Sequence, residues 1–256
     1  MKGRIAWITG GGRGIGRACA LALARTGASV AVSARSRAEL DAVVKELGAA
    51  KVKAVAAPCD VTDAKAVERA YKLVAKDLGV PDILVNGAGL ARSEAFLKTD
   101  ARFMEELWRL NLLGTFHATK AALPGMLEKG WGRIVNVASI AGKHGAPYIA
   151  AYSSAKHAVL GLTRSLASEF ATKGVTVNAV CPGYVDTKMT KDNVRFMMER
   201  TGRAESEILE HIRNASPQKR LIAPEEVAAA VAFLCGDAAV GINGQALTID
   251  GGGIQW

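Results

Sequence analysis

Short β-rich runs alternate with longer helical stretches along the whole chain, and this rhythm restricts the fold more than any other feature. "RIAWIT" (4–9) leads to a helix near 14–26, "ASVAVSA" (28–34) to one near 36–48, and "KVKAVAAP" (51–58) to one near 63–78. "DILVN" (82–86) precedes a long helix near 101–129, and "GRIVNVAS" (132–139) precedes one from about 151 to 172. "GVTVNAV" (174–180), a helix near 224–236 and "QALTI" (245–249) complete the series. Strands so uniformly apolar are buried on both faces, as in parallel sheets covered by helices. The alternation runs without a linker, repeat or low-complexity break. It predicts a single α/β domain over 1–256, a Rossmann-like doubly wound parallel sheet of about seven strands with helices on both faces. With 256 residues, half of them apolar, the chain can bury such a core.

One region stands outside the rhythm. Residues 188–220, "KMTKDNVRFMMERTGRAESEILEHIRNASPQKR", are polar and carry methionines. Insertions at the ligand-bearing edge of such a sheet are commonly functional, and a pair of short helices forming a lid is expected here.

Other classes are set aside by composition. Cys19, Cys59, Cys181 and Cys235 are scattered, without a Cys-x-x-Cys pair or a His at ligand spacing, so buried reduced thiols are expected and no metal. "MKGRIAWITG" enters a strand at once, leaving no room for a signal peptide, and no apolar run approaches the ~20 residues of a membrane span. A cytoplasmic protein without a membrane partner is expected. The net charge of +9 is dispersed, with no basic block and no interleaved aromatics, which argues against nucleic acid and leaves attraction of small anions.

The stretch "ITGGGRGIGRACALALA" (8–24) places five glycines in seven residues between the first strand and the first helix. A helix N-terminus reached through such a turn offers free N–H groups and a positive dipole end to an anion. The spacing is Gly-x-x-x-Gly-x-Gly. In Thr9-Gly10-Gly11-Gly12-Arg13-Gly14-Ile15-Gly16 the chain resembles the short-chain dehydrogenase/reductase family, and the resemblance extends over essentially the whole chain. It implies a nicotinamide dinucleotide, with Gly10, Gly14, Ile15 and Gly16 at its pyrophosphate.

The second strand ends "VAVSARS", with Arg35 where NAD readers carry an acid for the ribose 2′-hydroxyl. An arginine fork binds a 2′-phosphate that a carboxylate would repel. Arg13 adds a second cation, so NADP(H) is expected; the alternative is that Arg35 only starts a solvated helix. The resemblance places Asp60 and Val61, in "CDV", at the adenine. The family's Asn-Asn-Ala-Gly stands here as Asn86-Gly87-Ala88-Gly89, which implies cofactor contacts from Asn86, Ala88 and Gly89 and the loss of a sheet-stabilising hydrogen bond at Gly87. Pro182, Gly183, Val185 and Thr187, in "CPGYVDT", match the segment that passes the nicotinamide.

Tyr152 and Lys156, in "YSSAK", lie four apart and share a helical face. A phenol of pKa ~10 is a poor acid–base at neutral pH, and a neighbouring ammonium together with an oxidised nicotinamide favours the phenolate. The Ser139–Tyr152–Lys156 spacing matches the family's catalytic group, and Asn111 matches its fourth member. Lys156 is also implied to hold the nicotinamide ribose, so it and Tyr152 belong to the cofactor site too. The implied activity is NADPH-dependent reduction of a ketone, with nearest resemblance to reductases of 3-oxoacyl thioesters on coenzyme A or acyl carrier protein and to polyketide ketoreductases. A 3-hydroxybutyrate-type or other secondary-alcohol dehydrogenase stays open, as does a dinucleotide-sensing regulator without turnover. Lys188, Lys191, Arg195, Arg200 and Arg203 in the insertion are expected to attract an anionic carrier. The family's usual homotetramer implies interfaces on the helices near 101–129 and 151–172, with "DGGGIQW" as a further candidate.

Overall fold

A computed structural model describes residues 1–255; Trp256, the end of that candidate interface segment, lies outside them. The strands are β1 (Ile5–Thr9), β2 (Ser29–Ser33), β3 (Ala54–Ala56), β4 (Ile83–Asn86), β5 (Gly132–Val137), β6 (Val175–Pro182) and β7 (Ala246–Ile249). They form a seven-stranded sheet in the order β3-β2-β1-β4-β5-β6-β7, with every neighbouring pair parallel. The helices are α1 (Gly14–Arg25), α2 (Arg37–Gly48), α3 (Ala64–Asp77), α4 (Ala101–Trp108), α5 (Gly114–Glu128) and α6 (Ala150–Glu169). After β6 come α7 (Lys188–Thr201), α8 (Glu205–Asn214) and α9 (Pro224–Cys235).

Alternate residues of β1 serve opposite faces, as the period of two requires. Ala6 and Ile8 join Leu23, Leu40, Val43, Val231 and Leu234 beneath α1, α2 and α9. Trp7 joins Val67, Val74, Leu84, Met126 and Ile134 beneath α3 and α5. Each such large side chain, fully buried, contributes roughly 1.5–3 kcal/mol. Strand order reverses between β1 and β4, and a crevice opens there beyond the carboxyl ends of the strands.

Three local departures from the sequence expectation have physical causes. β3 spans three residues instead of eight, because it is an edge strand paired only with β2. The long helix expected over 101–129 is interrupted at Arg109–Leu113 by a π-helical turn. There the Asn111 amide donates to Leu107 O at 2.9 Å and the Thr115 hydroxyl donates to Asn111 O at 2.9 Å, so side chains serve carbonyls within the widened turn. The third concerns Gly87. Beside it, Asn86 makes cross-sheet bonds of its own: its Nδ2 donates to Asn136 Oδ1 at 2.8 Å and Thr119 Oγ1 at 3.0 Å. Asn136 in turn donates to Thr163 Oγ1 at 2.9 Å, which links the sheet to α6.

The 188–220 excursion forms α7 and α8, joined by their own small core of Val194, Ile208 and Ile212. Its base is closed by a bridge between Val185 and Ile222, with Asp186 N donating to Ile222 O and Ile222 N to Tyr184 O, both at 2.9 Å. Among the described residues no helix is long and apolar enough to cross a membrane, no acid–His–Cys cluster suits a metal, and the four cysteines are buried thiols.

Candidate active site

The β1–α1 turn begins the site. Gly10 has φ +67°, and a Cβ there would stand 2.6 Å from the Gly87 carbonyl; a Cβ on Gly16 would stand 2.1 Å from Gly10 O. Only glycine allows these backbones to approach so closely. α1 has no side-chain cap and no acid in its first turn, so its free N–H groups are left facing the crevice.

A cleft of about 520 Å³ runs from that turn in two directions. Toward one end lie Gly10, Arg13, Gly14, Ile15, Gly16, Arg35, Asp60 and Val61; toward the other lie Ala88, Gly89, Asn111, Ser139, Tyr152, Lys156, Pro182, Gly183, Val185 and Thr187. Asn86 is the exception among the expected residues. Its side chain is buried in the sheet by the bonds to Asn136 and Thr119 and does not border the cleft. His144, five residues past Ser139, also lies off the cleft and bonds Gly145 O at 2.9 Å.

At the first end, Arg13 pairs with Glu39 at 3.1 Å, and both line the cleft. The carboxylate lowers the free positive charge available there, a partner that sequence reasoning missed. Asp60 turns one oxygen to Thr62, accepting from its N at 2.9 Å and its hydroxyl at 2.8 Å. Its pKa stands below the usual carboxylate value: burial raises it, but the Thr62 bonds and the nearby Arg35 charge outweigh that.

At the other end, α6 presents Tyr152 and Lys156 on one face, and the end of β5 presents Ser139 opposite them. Burial pushes the Tyr152 phenol up to about 12, and a hydrogen bond with Ser139 opposes this only in part. Burial pulls Lys156 down to about 8. The phenol is therefore protonated at neutral pH, the form of a proton donor. The Lys156 Nζ lies 5.8 Å from the Tyr152 ring centroid and donates to Val137 O at 2.9 Å. Asn111, fully buried in the π turn, completes the group: a Cβ on Gly89 would meet Asn111 Oδ1 at 2.9 Å and Lys156 Nζ at 3.5 Å.

The lid end of the cleft includes Met189 and Thr190 of α7, and Leu90 faces it from the loop after β4. The insertion's cations are mostly neutralised. Lys188 pairs with Asp192 at 2.7 Å, Lys191 with Asp186 at 3.6 Å, Arg200 with Glu94 at 2.5 Å and Arg203 with Glu207 at 3.4 Å. The expected attraction of an anionic carrier by this rim is correspondingly reduced.

A parallel sheet opened by this glycine turn, with serine, tyrosine, lysine and asparagine gathered in one cleft, is the architecture of a dehydrogenase/reductase. The chain belongs to the short-chain dehydrogenase family, whose model matches residues 4–197. It is 40% identical, over 100% of its length and 99% of the relative's, to a 3-oxoacyl-[acyl-carrier-protein] reductase of Synechocystis. A putative ketoacyl reductase of Streptomyces coelicolor is 39% identical over 97% of this chain and 96% of its own. A D-beta-hydroxybutyrate dehydrogenase of Rhizobium meliloti is 35% identical over 97% and 98%. Among solved structures, an actinorhodin polyketide ketoreductase variant crystallised with NADPH superposes with a TM-score of 0.95 at 38% identity, covering 99% of this chain and 98% of that one.

Proposed function

We propose that the protein is an NADPH-dependent ketoreductase that reduces a 3-oxoacyl thioester to the secondary alcohol, on one domain over 1–256 with 188–220 as its substrate lid. The observation that carries this reading is the convergence of Ser139, Tyr152, Lys156 and Asn111 at one end of the cleft, with the phenol in its protonated form. The relatives named for 3-oxoacyl and ketoacyl reduction, and the NADPH-bound neighbour, support the substrate and cofactor class.

The residues present fit the dinucleotide. The uncapped α1 terminus and the close-packed glycines suit a pyrophosphate, and Arg35 with Arg13 suits a 2′-phosphate. Asp60 and Val61 would border the adenine; Ala88, Gly89, Pro182, Gly183, Val185 and Thr187 would border the nicotinamide half. When bound, NADPH supplies the hydride. Ser139 holds the ketone oxygen, and Tyr152 gives that oxygen its proton. Lys156 holds the ribose and, while charged, steadies the phenolate that Tyr152 becomes. Asn111 keeps the loop after β4, and with it Gly89, against Lys156.

Exposed Trp108, Leu113 and Phe116 on α4, the π turn and α5 support assembly through this face, and we propose a homotetramer. Light scattering at micromolar concentration tests it, and a monomer would contradict it. The activity is tested by following loss of reduced nicotinamide absorbance with acetoacetyl-CoA. Turnover that disappears in Tyr152→Phe supports the reading, and no turnover in the unmodified protein contradicts it.

A further inference from the structure

Asp250 lies outside the cleft, yet it ties two of its walls together. Placed directly after β7, its carboxylate accepts from Gly252 N at 3.0 Å, Gly253 N at 3.2 Å and Ile254 N at 2.8 Å. Its own carbonyl accepts from the Ser216 hydroxyl at 2.9 Å, just beyond the end of α8. Both residues are buried, at 7% and 8% exposure. Gly251, at φ +73°, passes so near that a Cβ would stand 2.3 Å from Ser216 Oγ. On the other side the turn backs the cleft wall. Gly183 N donates to Ile249 O at 3.0 Å, and a Cβ on Gly183 would meet Asp250 Cβ at 2.9 Å and Cα at 3.2 Å.

We infer that Asp250 is a positioning residue that sets the Pro182–Gly183 wall and, through Ser216, the distal end of the lid. A carboxylate is needed because three N–H donors converge on it, and only an anion with two acceptor oxygens serves them all. Asparagine would turn an NH2 against one of these N–H groups and open the turn. The wall and the lid are then one unit: displacing the turn moves both.

The inference rests on the cofactor reading above, in which Pro182 and Gly183 border the nicotinamide half while Arg35 and Asp60 hold the adenosine half. The test is binding of NADPH and of adenosine 2′,5′-bisphosphate, which lacks the nicotinamide, to the full chain and to Asp250→Asn and Ser216→Ala. Asp250→Asn should weaken NADPH by about fivefold or more and leave the bisphosphate within about twofold. Ser216→Ala, which cuts only the lid tie, should raise the KM for acetoacetyl-CoA about threefold with NADPH binding unchanged. Equal weakening of both ligands, or no weakening of either in a folded Asp250→Asn protein, overturns the inference. Should Asp250→Asn fail to fold, an unchanged KM in Ser216→Ala overturns it instead. If the unmodified protein binds neither ligand, the cofactor reading itself falls, and this inference with it.

Discussion

Leu90 and Asn111 hold each other reciprocally: the Leu90 N–H donates to Asn111 Oδ1 at 3.2 Å, and Asn111 Nδ2 donates to Leu90 O at 3.0 Å. This exchange fastens the loop after β4 onto the π turn, beside Lys156. Replacing Asn111 by Ala leaves both Leu90 groups without that partner, a loss of about 1–3 kcal/mol. The melting temperature should fall by several degrees and kcat by about tenfold or more. Gly89→Ala, which drives a Cβ against the same amide, should lower kcat similarly with a smaller loss of stability. Calorimetry with steady-state kinetics checks both, and unchanged kcat in either would show that the contact is structural only.

Tyr152→Phe removes one oxygen from a ring that stays packed. Reduction should fall by about a thousandfold while the Kd for NADPH changes less than about twofold, because proton transfer alone is lost. Substantial turnover would assign the proton to another group.

Lys156 carries a stability cost. Its folded pKa of about 8 lies below the ordinary 10.5, so the unfolded chain binds the extra proton between those values. The penalty is full below pH 8 and fades as pH rises toward 10.5, amounting to about 3 kcal/mol at neutral pH, less about 1 for the bond to Val137 O. Lys156→Met should therefore melt several degrees higher at pH 7, with the gain gone near pH 10.5, while losing activity. In the unmodified enzyme, reduction should decline as pH passes about 8 and the ammonium is lost. Melting curves across that range, and a pH–rate profile, test the two halves separately.

The ion pair between Arg13 and Glu39 gives the cofactor end an adjustable charge. Glu39→Gln frees Arg13 and should tighten NADPH by about two- to fivefold with little effect on NADH, and salt should reduce the gain. Arg35→Ala should weaken NADPH by about tenfold or more. Ala34→Asp with Arg35→Ile should move the kcat/KM ratio toward NADH by about tenfold or more. Titration with both cofactors decides; an NADH preference in the unmodified protein would contradict the assignment.

The sheet was legible because strand burial writes an uninterrupted apolar run, and the glycine turn because Gly10 and Gly16 answer steric demands made within a few residues. Tyr152 and Lys156 were legible as an i, i+4 pair. The π turn was not: one widened turn shifts the helical period by a single residue, below what the pattern around Asn111 resolves. Arg13–Glu39 and Arg200–Glu94 close over 26 and 106 residues, so sequence proximity carried no sign of them. By contrast, the lid pairs Lys188–Asp192 and Arg203–Glu207 stand at i, i+4 and were open to reading from the chain. Asn86 was assigned to the cofactor by its place beside Ala88 and Gly89, yet its strand register against Asn136 turns it into the sheet.

The central claim is reduction of a 3-oxoacyl thioester by NADPH, and its most direct test is a ratio of two specificity constants. One is kcat/KM for acetoacetyl-CoA with NADPH; the other is kcat/KM for 3-hydroxybutyrate with NAD. The first should exceed the second by about a hundredfold or more. With five of the eight lid lysines and arginines already paired, Arg220 to Glu226 among them, the thioester rate should also change only modestly with salt. Faster NAD-linked oxidation of 3-hydroxybutyrate would contradict the claim and place the protein with the dehydrogenases of that alcohol.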